Sequence, residues 1–243
     1  MVIEKNQRAI VYDTGASYGH YFSYAERVII PFLQARALSQ VDMLILSHSD
    51  NDHAGGAKVI LNQYHPSVVL TDIEKYRGSV CRPHVRRWQG LTLSFMGPKV
   101  PRAGNNGSCV VKVSDGLHQV LLTGDIEKSA EKRLIRQAYS LSADVLIAPH
   151  HGSNTSSTQA FINKVRPTQV IFAAGFNNRW RFPKAPVVAR YLTITEQLFQ
   201  TGKAGQVTVQ IRNNRLQLLQ YRQHIAPFWY NQTFRFGVFA NPE

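Results

Sequence analysis

The hexapeptide HSDNDH at residues 48–53 constrains the fold of this chain more than any other feature. Imidazole and carboxylate side chains alternate along it, and the apolar run at residues 43–47 precedes it directly. Because side chains two residues apart share a face at the end of a strand, the pattern predicts a buried strand, a ligand-rich turn and then a helix. A polar solvated turn is the alternative, but a ligand cluster behind a core strand favours a site for one or two divalent metal ions that activate water.

Length and composition set the class of protein. The chain has 243 residues, of which 44% are hydrophobic, and this is enough to bury a core as one domain or at most two intimate halves. Its sequence contains no run of about 18 apolar residues of the kind that crosses a membrane, and its N-terminus lacks the pattern of a signal peptide. Because the sequence enters a predicted strand almost at once, we expect it to be a piece of a longer protein.

The charge of the chain indicates a polyanionic partner. It carries 28 Lys and Arg against 15 Asp and Glu, a formal net charge of +13. Such a surface attracts polyanions and speeds their encounter. Simple solubility and attraction to anionic lipid headgroups are the alternatives, but an excess this large favours nucleic acid.

The two cysteines, Cys81 and Cys109, are too few for a tetrathiolate zinc site. They form a disulfide if the compartment is oxidising, or else they lie apart as small buried hydrophobic side chains. The sequence does not choose between these alternatives.

Further potential ligands stand where other predicted strands end. Asp13 follows the strand at residues 8–12, Asp125 follows Val-Leu-Leu-Thr-Gly, and His150 and His151 follow Val-Leu-Ile-Ala-Pro. Strands and helices alternate along the chain and include hairpins, which predicts an α/β fold with mixed sheets. Since functional side chains in such folds collect where strands end, we expect these residues to contribute to one site.

The order of these motifs resembles the metallo-β-lactamase superfamily. HSDNDH with the Gly-Gly pair after it, Thr-Gly-Asp at 123–125 and His-His-Gly-Ser at 150–153 carry the resemblance. Asp-Thr-Gly at 13–15 and Asn-Asn-Gly-Ser at 105–108 bring it closest to the hydrolase-like domain of ComEC-type DNA uptake proteins. The match covers residues 10–174 and says little about the last third of the chain.

This resemblance implies a fold and a location. The fold is an αβ/βα sandwich of two mixed sheets flanked by helices, with residues 1–243 forming one domain. By this resemblance, we expect the parent protein to be a membrane channel and this domain to lie on the extracytoplasmic, periplasmic side of the cytoplasmic membrane. The membrane channel portion of the parent is therefore an expected partner, and no small-molecule organic cofactor is expected.

The resemblance also implies residue roles. The expected metal ligands are His48, Asp50, Asp52, His53, Asp125 and His150. The expected catalytic residues are Asp50, Asp52 and His151. Asp13, Asn106 and Ser108 are expected to lie behind the ligands. Asp50 stands where the usual motif has a histidine, and this oxygen-rich set favours Mn²⁺, with Zn²⁺ and Mg²⁺ as alternatives.

Basic and aromatic residues provide the predicted DNA contacts. We expect the phosphate backbone to be bound by Arg82, Arg86, Arg87, Arg179, Arg181 and Lys184. Aromatic side chains interleave with them and either stack bases of a single strand or pack in the core, namely Trp88, Phe176, Trp180 and Phe182. Single-stranded DNA is the favoured partner.

The leading functional prediction is a metal-dependent nuclease that degrades one strand of incoming DNA during natural transformation. A non-catalytic DNA-binding vestibule with a degenerate metal site is the main alternative. Another hydrolase activity of the superfamily and a membrane-surface module are two more. The aromatic-rich segment at residues 227–243 either docks on a partner or packs on its own domain.

Overall fold

The computed structural model describes residues 1–19, 21–100, 102–137 and 139–226. The aromatic-rich segment at 227–243 lies outside the described residues. The chain forms two compact units, residues 1–111 and residues 112–243. The single domain expected from the resemblance stays a prediction.

A four-stranded mixed sheet lies at the centre of the first unit. The strands of this unit are β1 (Val2–Lys5), β2 (Arg8–Tyr12), β3 (Ser17–Tyr18), β4 (Phe22–Ser23), β5 (Gln40–Ile45), β6 (Val68–Leu70), β7 (His84–Trp88) and β8 (Leu91–Phe95). The sheet has the order β1-β2-β5-β6; β1 is antiparallel to β2, and the other neighbours are parallel. The pairs β3–β4 and β7–β8 are antiparallel hairpins.

The helices of the first unit bury the apolar face of this sheet. They are α1 (Ile30–Ala35), α2 (Asn51–Ala54) and α3 (Ala57–Tyr64), and a π-helical turn precedes α1. The sequence predicts that Pro31 kinks or restarts a helix here. In the structure Pro31 lies in the first turn of α1, where its missing N–H is not needed. Val11 and Leu44 of the sheet, Leu33 of α1 and Ile60 of α3 are all in one buried cluster.

Strand β7 corrects a sequence-based expectation. The sequence predicts a loop at residues 72–90, because this stretch is loop-like and basic. In the structure, His84–Trp88 forms a strand whose first four residues are exposed, and only Trp88 is buried. Backbone pairing with β8 defines this strand, so the hydrophobic pattern carries no signal for it.

Asp42 connects three strands of the first unit. Its side chain forms a bidentate ion pair with Arg8 of β2, and it accepts a hydrogen bond from Trp88 Nε1 of β7 at 2.7 Å. Hydrogen bonds from the Arg8 guanidinium hold the pKa of the Asp42 carboxyl below its usual value, although burial acts in the opposite direction.

We expect Asp42→Asn to lower the free energy of unfolding at pH 7 by about 2 kcal/mol, because it removes the charged partner of Arg8. A carboxyl group whose pKa is depressed by folding stabilises the protein above its unfolded pKa, near pH 4, and this stabilisation is lost as the pH falls through the folded pKa. Urea unfolding should therefore show a difference between wild type and variant that shrinks below about pH 4. A difference that stays constant with pH would contradict this assignment.

Cys81 and Cys109 form a disulfide with a Cα–Cα distance of 5.7 Å. The bond closes a loop with a sequence separation of 28, which on chain-entropy grounds stabilises the folded chain by about 3.5 kcal/mol. Cys109 is also held by backbone: its N–H donates to Ser47 O at 2.8 Å, and its carbonyl accepts from Tyr12 Oη at 2.7 Å. The disulfide therefore secures the segment next to the HSDNDH turn.

The second unit contains a largely parallel sheet. Its strands are β9 (Val111–Ser114), β10 (Gln119–Leu122), β11 (Val145–Ile147), β12 (Gln169–Phe172), β13 (Leu198–Gln200), β14 (Val207–Arg212) and β15 (Arg215–Gln220). The order β13-β12-β11-β10-β9 is parallel from β13 to β10. A connection of only four residues requires β9 to be antiparallel to β10. The separate β14–β15 hairpin turns at Asn213 and Asn214, as expected from sequence.

Helices pack on this second sheet. They are α4 (Lys128–Arg136), α5 (Gln159–Val165), α6 (Ala185–Leu192) and α7 (Thr201–Ala204). Phe172 of β12 makes an edge-to-face contact with Tyr191 of α6, with ring centroids 5.6 Å apart. The predicted α/β class with mixed sheets and flanking helices is confirmed. Among the residues that the structure describes, none of the helices has the length and apolar character needed to cross a bilayer.

Candidate metal centre

The first group of potential ligands lies at the carboxyl ends of two neighbouring parallel strands. Asp13 follows β2, and the HSDNDH turn follows β5 after two residues. The Asp13 N–H donates to Ile45 O at 2.8 Å, so the two strand ends are joined where the site begins. Within this unit, candidate ligands from two strands therefore lie at one edge of the sheet.

The Asp13 carboxylate organises this group. It lies at φ +58°, a left-handed conformation that Asp tolerates better than most residues. Its Oδ1 accepts from Ser47 N at 2.6 Å, and its Oδ2 accepts from Ser47 Oγ at 2.9 Å. The same Oδ2 lies 2.7 Å from His53 Nδ1. Since a carboxylate only accepts, Nδ1 of His53 carries the proton and its Nε2 presents a lone pair.

Ser47 extends the influence of Asp13 to His48. Its hydroxyl proton is donated to Asp13, so Ser47 Oγ can accept from His48 Nδ1, 3.0 Å away. His48 then also presents Nε2, which lies 3.5 Å from Asp50 Oδ2. One buried carboxylate thus sets the tautomer of two imidazoles, whose ring centroids are 4.2 Å apart. The sequence analysis did not identify Ser47, which looked like the last residue of a strand.

The carboxylates of the turn are exposed, whereas its histidines are buried. Asp52 and His53 lie on the one-turn helix α2, and Asp52 Oδ2 is 3.8 Å from His53 Nε2. Gly56 permits close packing behind this turn, since a β carbon there would lie 2.5 Å from the Ala25 side chain. The turn therefore pairs each buried imidazole with one exposed carboxylate.

Two other predicted residues come from a later loop of the same unit. Ser108 Oγ donates to Asn105 O at 2.7 Å and lies 3.4 Å from His48 Nδ1. Ser108 therefore lies behind the His48 imidazole. Asn106 lies in the 3₁₀ turn that precedes it.

The second group of ligands repeats this arrangement in the second unit. Strands β10 and β11 are parallel neighbours; Asp125 follows the first of them, and His150 and His151 follow the other. Asp125 is buried, and its Oδ2 lies 3.5 Å from His151 Nε2 and 3.8 Å from His150 Nε2. This unit therefore brings together all three of its predicted ligand-type side chains.

The two histidines have different supports. His151 Nδ1 is 2.8 Å from the carbonyl of Ala173, which can only accept, so the proton is on Nδ1 and Nε2 faces Asp125 with its lone pair. His150 Nδ1 instead lies 3.1 Å from Thr155 Oγ1 and 3.6 Å from Glu127 Oε1. Sequence reasoning identified neither Ala173 nor Thr155, because both are loop residues without a motif.

The His-His-Gly turn is left-handed at three successive positions. His150, His151 and Gly152 have φ of +48°, +54° and +85°. Residues with a β carbon resist this conformation by roughly 1–2 kcal/mol each, and such strain is typical of functional sites. A β carbon on Gly152 would lie 2.6 Å from Cβ of Pro183, so only glycine fits here.

The donor chemistry fits a divalent cation. Each Nε2–Oδ2 separation is between 3.5 and 3.8 Å, longer than a hydrogen bond. Ligand atoms about 2.1 Å from one ion lie roughly 3.0–3.4 Å from each other, so small side-chain movements would suffice. A ligating imidazole usually donates its other N–H to a carboxylate or carbonyl, as His53 and His151 do.

The residues predicted to contact DNA are distributed over both units. Arg82, Arg86 and Arg87 are exposed, and Arg86 and Arg87 line a cavity of about 270 Å³ in the first unit. Trp88 is buried and donates a hydrogen bond to Asp42, so this aromatic side chain packs in the core. In the second unit, Arg179 and Arg181 are exposed.

The metallo-beta-lactamase superfamily matches residues 1–175. This chain belongs to that superfamily. The structure of the metallo-beta-lactamase fold protein YhfI from Bacillus subtilis superposes with a TM-score of 0.52 at 14% identity, over 82% of this chain and 86% of that protein. This likeness agrees with the fold that the family implies.

Several of its curated relatives carry competence or recombination names. Recombination protein 2 of Haemophilus influenzae is 39% identical over 236 residues, which are 94% of this chain and 29% of that protein. ComE operon protein 3 of Bacillus subtilis is 30% identical over 214 residues, 80% of this chain and 28% of that protein. The expected resemblance to ComEC-type proteins is confirmed. The chain spans less than a third of the length of these relatives.

Proposed function

We propose that this chain is a metal-dependent hydrolase that cleaves phosphodiester bonds of DNA, with a single strand as its preferred substrate. The observation that carries the proposal is the repeated pairing of an imidazole Nε2 lone pair with a carboxylate at strand ends. Membership of a superfamily named for metal-dependent lactam hydrolases supports the reaction class. The competence name of relatives such as ComA of Neisseria gonorrhoeae supports DNA as the substrate.

The donors proposed for divalent ions are Asp52 and His53 in the first unit and Asp125 and His151 in the second. We favour His151 over His150 as the ligand because only His151 has its Nδ1 proton committed to a backbone carbonyl. His48 and Asp50 are proposed to bind a second ion or to face the substrate. Each pair combines a carboxylate, which suits Mn²⁺, with an imidazole, which also suits Zn²⁺.

A divalent cation in this site supplies Lewis acidity toward water and phosphate oxygens. The protein residues have the remaining tasks. Asp13 keeps the proton on His53 Nδ1, so that Nε2 stays available. Asp50, exposed beside the turn, is proposed to orient the attacking water and accept its proton. His150 is proposed to contact the phosphate, because Thr155 and Glu127 hold its Nδ1 side.

The charge of the chain favours a polyanionic substrate over an uncharged lactam. The net charge is +13, and exposed arginines occur in both units, among them Arg82, Arg86, Arg87, Arg179 and Arg181. Contacts with many phosphates release counterions and make binding dependent on salt. We propose that Arg82, Arg86, Arg87, Arg179, Arg181 and Lys184 provide such contacts.

The disulfide is informative about the cellular compartment of this domain. Such bonds persist in oxidising compartments and are rare in the cytosol. With relatives more than three times as long as this chain, the disulfide supports the proposal of a domain on the extracytoplasmic side of the membrane, attached to a channel portion. Degradation of one strand of incoming DNA is the biological task that follows from this proposal.

Metal-stripped protein should be supplied with Mn²⁺, Mg²⁺ or Zn²⁺ singly and tested on labelled single- and double-stranded DNA. We expect cleavage with one of these ions, Mn²⁺ first, and none in the Asp52→Ala variant. Ser49→Ala changes an exposed residue of the same turn and is the matched control, which should keep its activity. DNA binding without cleavage under every ion would overturn the proposed nuclease activity and favour the DNA-binding vestibule. That alternative is motivated by Asp50, which stands where the usual motif has a histidine.

A further inference from the structure

A row of stacked side chains leads from the surface of the second unit to His151. It belongs to residues 176–184, which we call the stacking loop. The Arg179 guanidinium lies 4.2 Å from the centroid of the Trp180 ring. Trp180 and Phe182 are nearly parallel, at 10° with centroids 6.2 Å apart. Phe182 in turn stacks on His151 at 24° and 6.4 Å.

The stacking loop is firmly attached to the histidine turn. Asn178 bonds Phe182 in both directions: its Oδ1 accepts from Phe182 N at 2.8 Å, and its Nδ2 donates to Phe182 O at 2.8 Å. Lys184 N donates to Gly152 O at 3.0 Å. Because backbone and an amide side chain hold both sides of Phe182, the aromatic row keeps a defined position relative to His151.

Trp180 is not a core residue. Half of its surface is exposed (50%), whereas Trp88 of the first unit is 8% exposed. Exposure of the apolar indole face to water is unfavourable in free energy, and stacking on a flat partner removes that face from water. Cationic groups accompany the aromatic row: Arg179 covers the Trp180 ring, Lys184 Nζ lies 5.7 Å from the Phe182 ring centroid, and Arg181 between these two aromatic residues is exposed.

We propose that Trp180 is a subsite for one unstacked base of single-stranded nucleic acid. Arg179 covers the indole, and it moves to the neighbouring phosphate when a base takes its place. Phe182 then sets the spacing between this base and the phosphate beside His151. The inference deepens the proposed function and takes its substrate class from it.

The geometry of a base favours a single strand at this subsite. In a duplex both faces of each base are covered by neighbours, so an indole can stack only on a base that has left the stack. A base on a single strand offers its face without that cost. Stacking also tolerates any sequence, which suits an enzyme that meets DNA of arbitrary sequence.

The test compares two probes of equal length and charge, an oligothymidylate and an abasic oligomer, both measured by fluorescence anisotropy in EDTA. We expect Trp180→Ala to weaken binding of oligothymidylate about 5- to 150-fold, the range for loss of one stacked base. Binding of the abasic oligomer should change less than about twofold, because the phosphate contacts remain. Trp180→Phe should restore most of the loss, and oligothymidylate should quench tryptophan fluorescence in wild type but less in Trp180→Ala.

Tyr21→Ala is the matched control, since Tyr21 is an aromatic residue that is 91% exposed in the first unit. It should bind both probes like wild type. The subsite would be overturned if Trp180→Ala lost affinity equally for both probes, or if its affinity for oligothymidylate did not fall. Because EDTA prevents hydrolysis, a chain that never cleaves DNA but loses base-dependent binding in Trp180→Ala would contradict the proposed function and keep the subsite.

Discussion

Replacing His151 by alanine is expected to weaken binding of Mn²⁺ or Zn²⁺ by more than about 100-fold and to abolish hydrolysis, because the proposed site loses a direct ligand. The physical basis is the tautomer: the carbonyl of Ala173 holds the Nδ1 proton, and Nε2 faces the buried Asp125 carboxylate. Chelator competition measures the affinity, and release of labelled nucleotides from single-stranded DNA measures the activity.

His150→Ala is the matched control, because the two histidines are adjacent and both face Asp125. We expect it to bind the ion within about tenfold of wild type and to lose turnover through its phosphate contact. The opposite result, with metal lost in His150→Ala and kept in His151→Ala, would restore the assignment first expected from the sequence. Thermal unfolding of both metal-free variants shows whether each one folds.

Asp13→Asn is expected to weaken metal binding by about 10- to 100-fold, as changes behind a ligating histidine do. Asparagine tolerates the left-handed backbone at this position, so the change tests chemistry rather than conformation. Ser47 N requires an acceptor at the Oδ1 position, which leaves the new amide N–H₂ facing His53 Nδ1. The imidazole must then carry its proton on Nε2, where the ion would bind.

The consequence for activity is large, because an Asp→Asn change that reverses a histidine tautomer in a catalytic triad costs about 10⁴ in rate. Nitrogen-15 NMR of His53 reports the tautomer directly and separates this mechanism from general destabilisation. Asp42→Asn is the matched control, because it is the same Asp-to-Asn change in the same unit. It should unfold more easily yet bind the ion like wild type. Unchanged metal affinity in Asp13→Asn would refute the role of Asp13.

Local sequence determined where the ligands stand. Each ligand motif consists of polar residues directly after an apolar strand, so a few neighbouring residues suffice to recognise it. This holds for the HSDNDH turn after the run at 43–47 and for the motifs at 123–125 and 150–153. The superfamily, the α/β class and the turn at Asn213 and Asn214 followed from the same local patterns. These features could be predicted because strand ends and turns depend on near neighbours.

Tertiary structure alone decided how each ligand is held. His53 receives its tautomer from Asp13, 40 residues away, and His151 from Ala173, 22 residues away. The pairing of Cys81 with Cys109 and the strand at His84–Trp88 likewise depend on distant partners. A hydrogen-bond acceptor, a thiol or an unpaired strand edge contributes only when folding brings its partner within about 3 Å, and no local pattern encodes that distance.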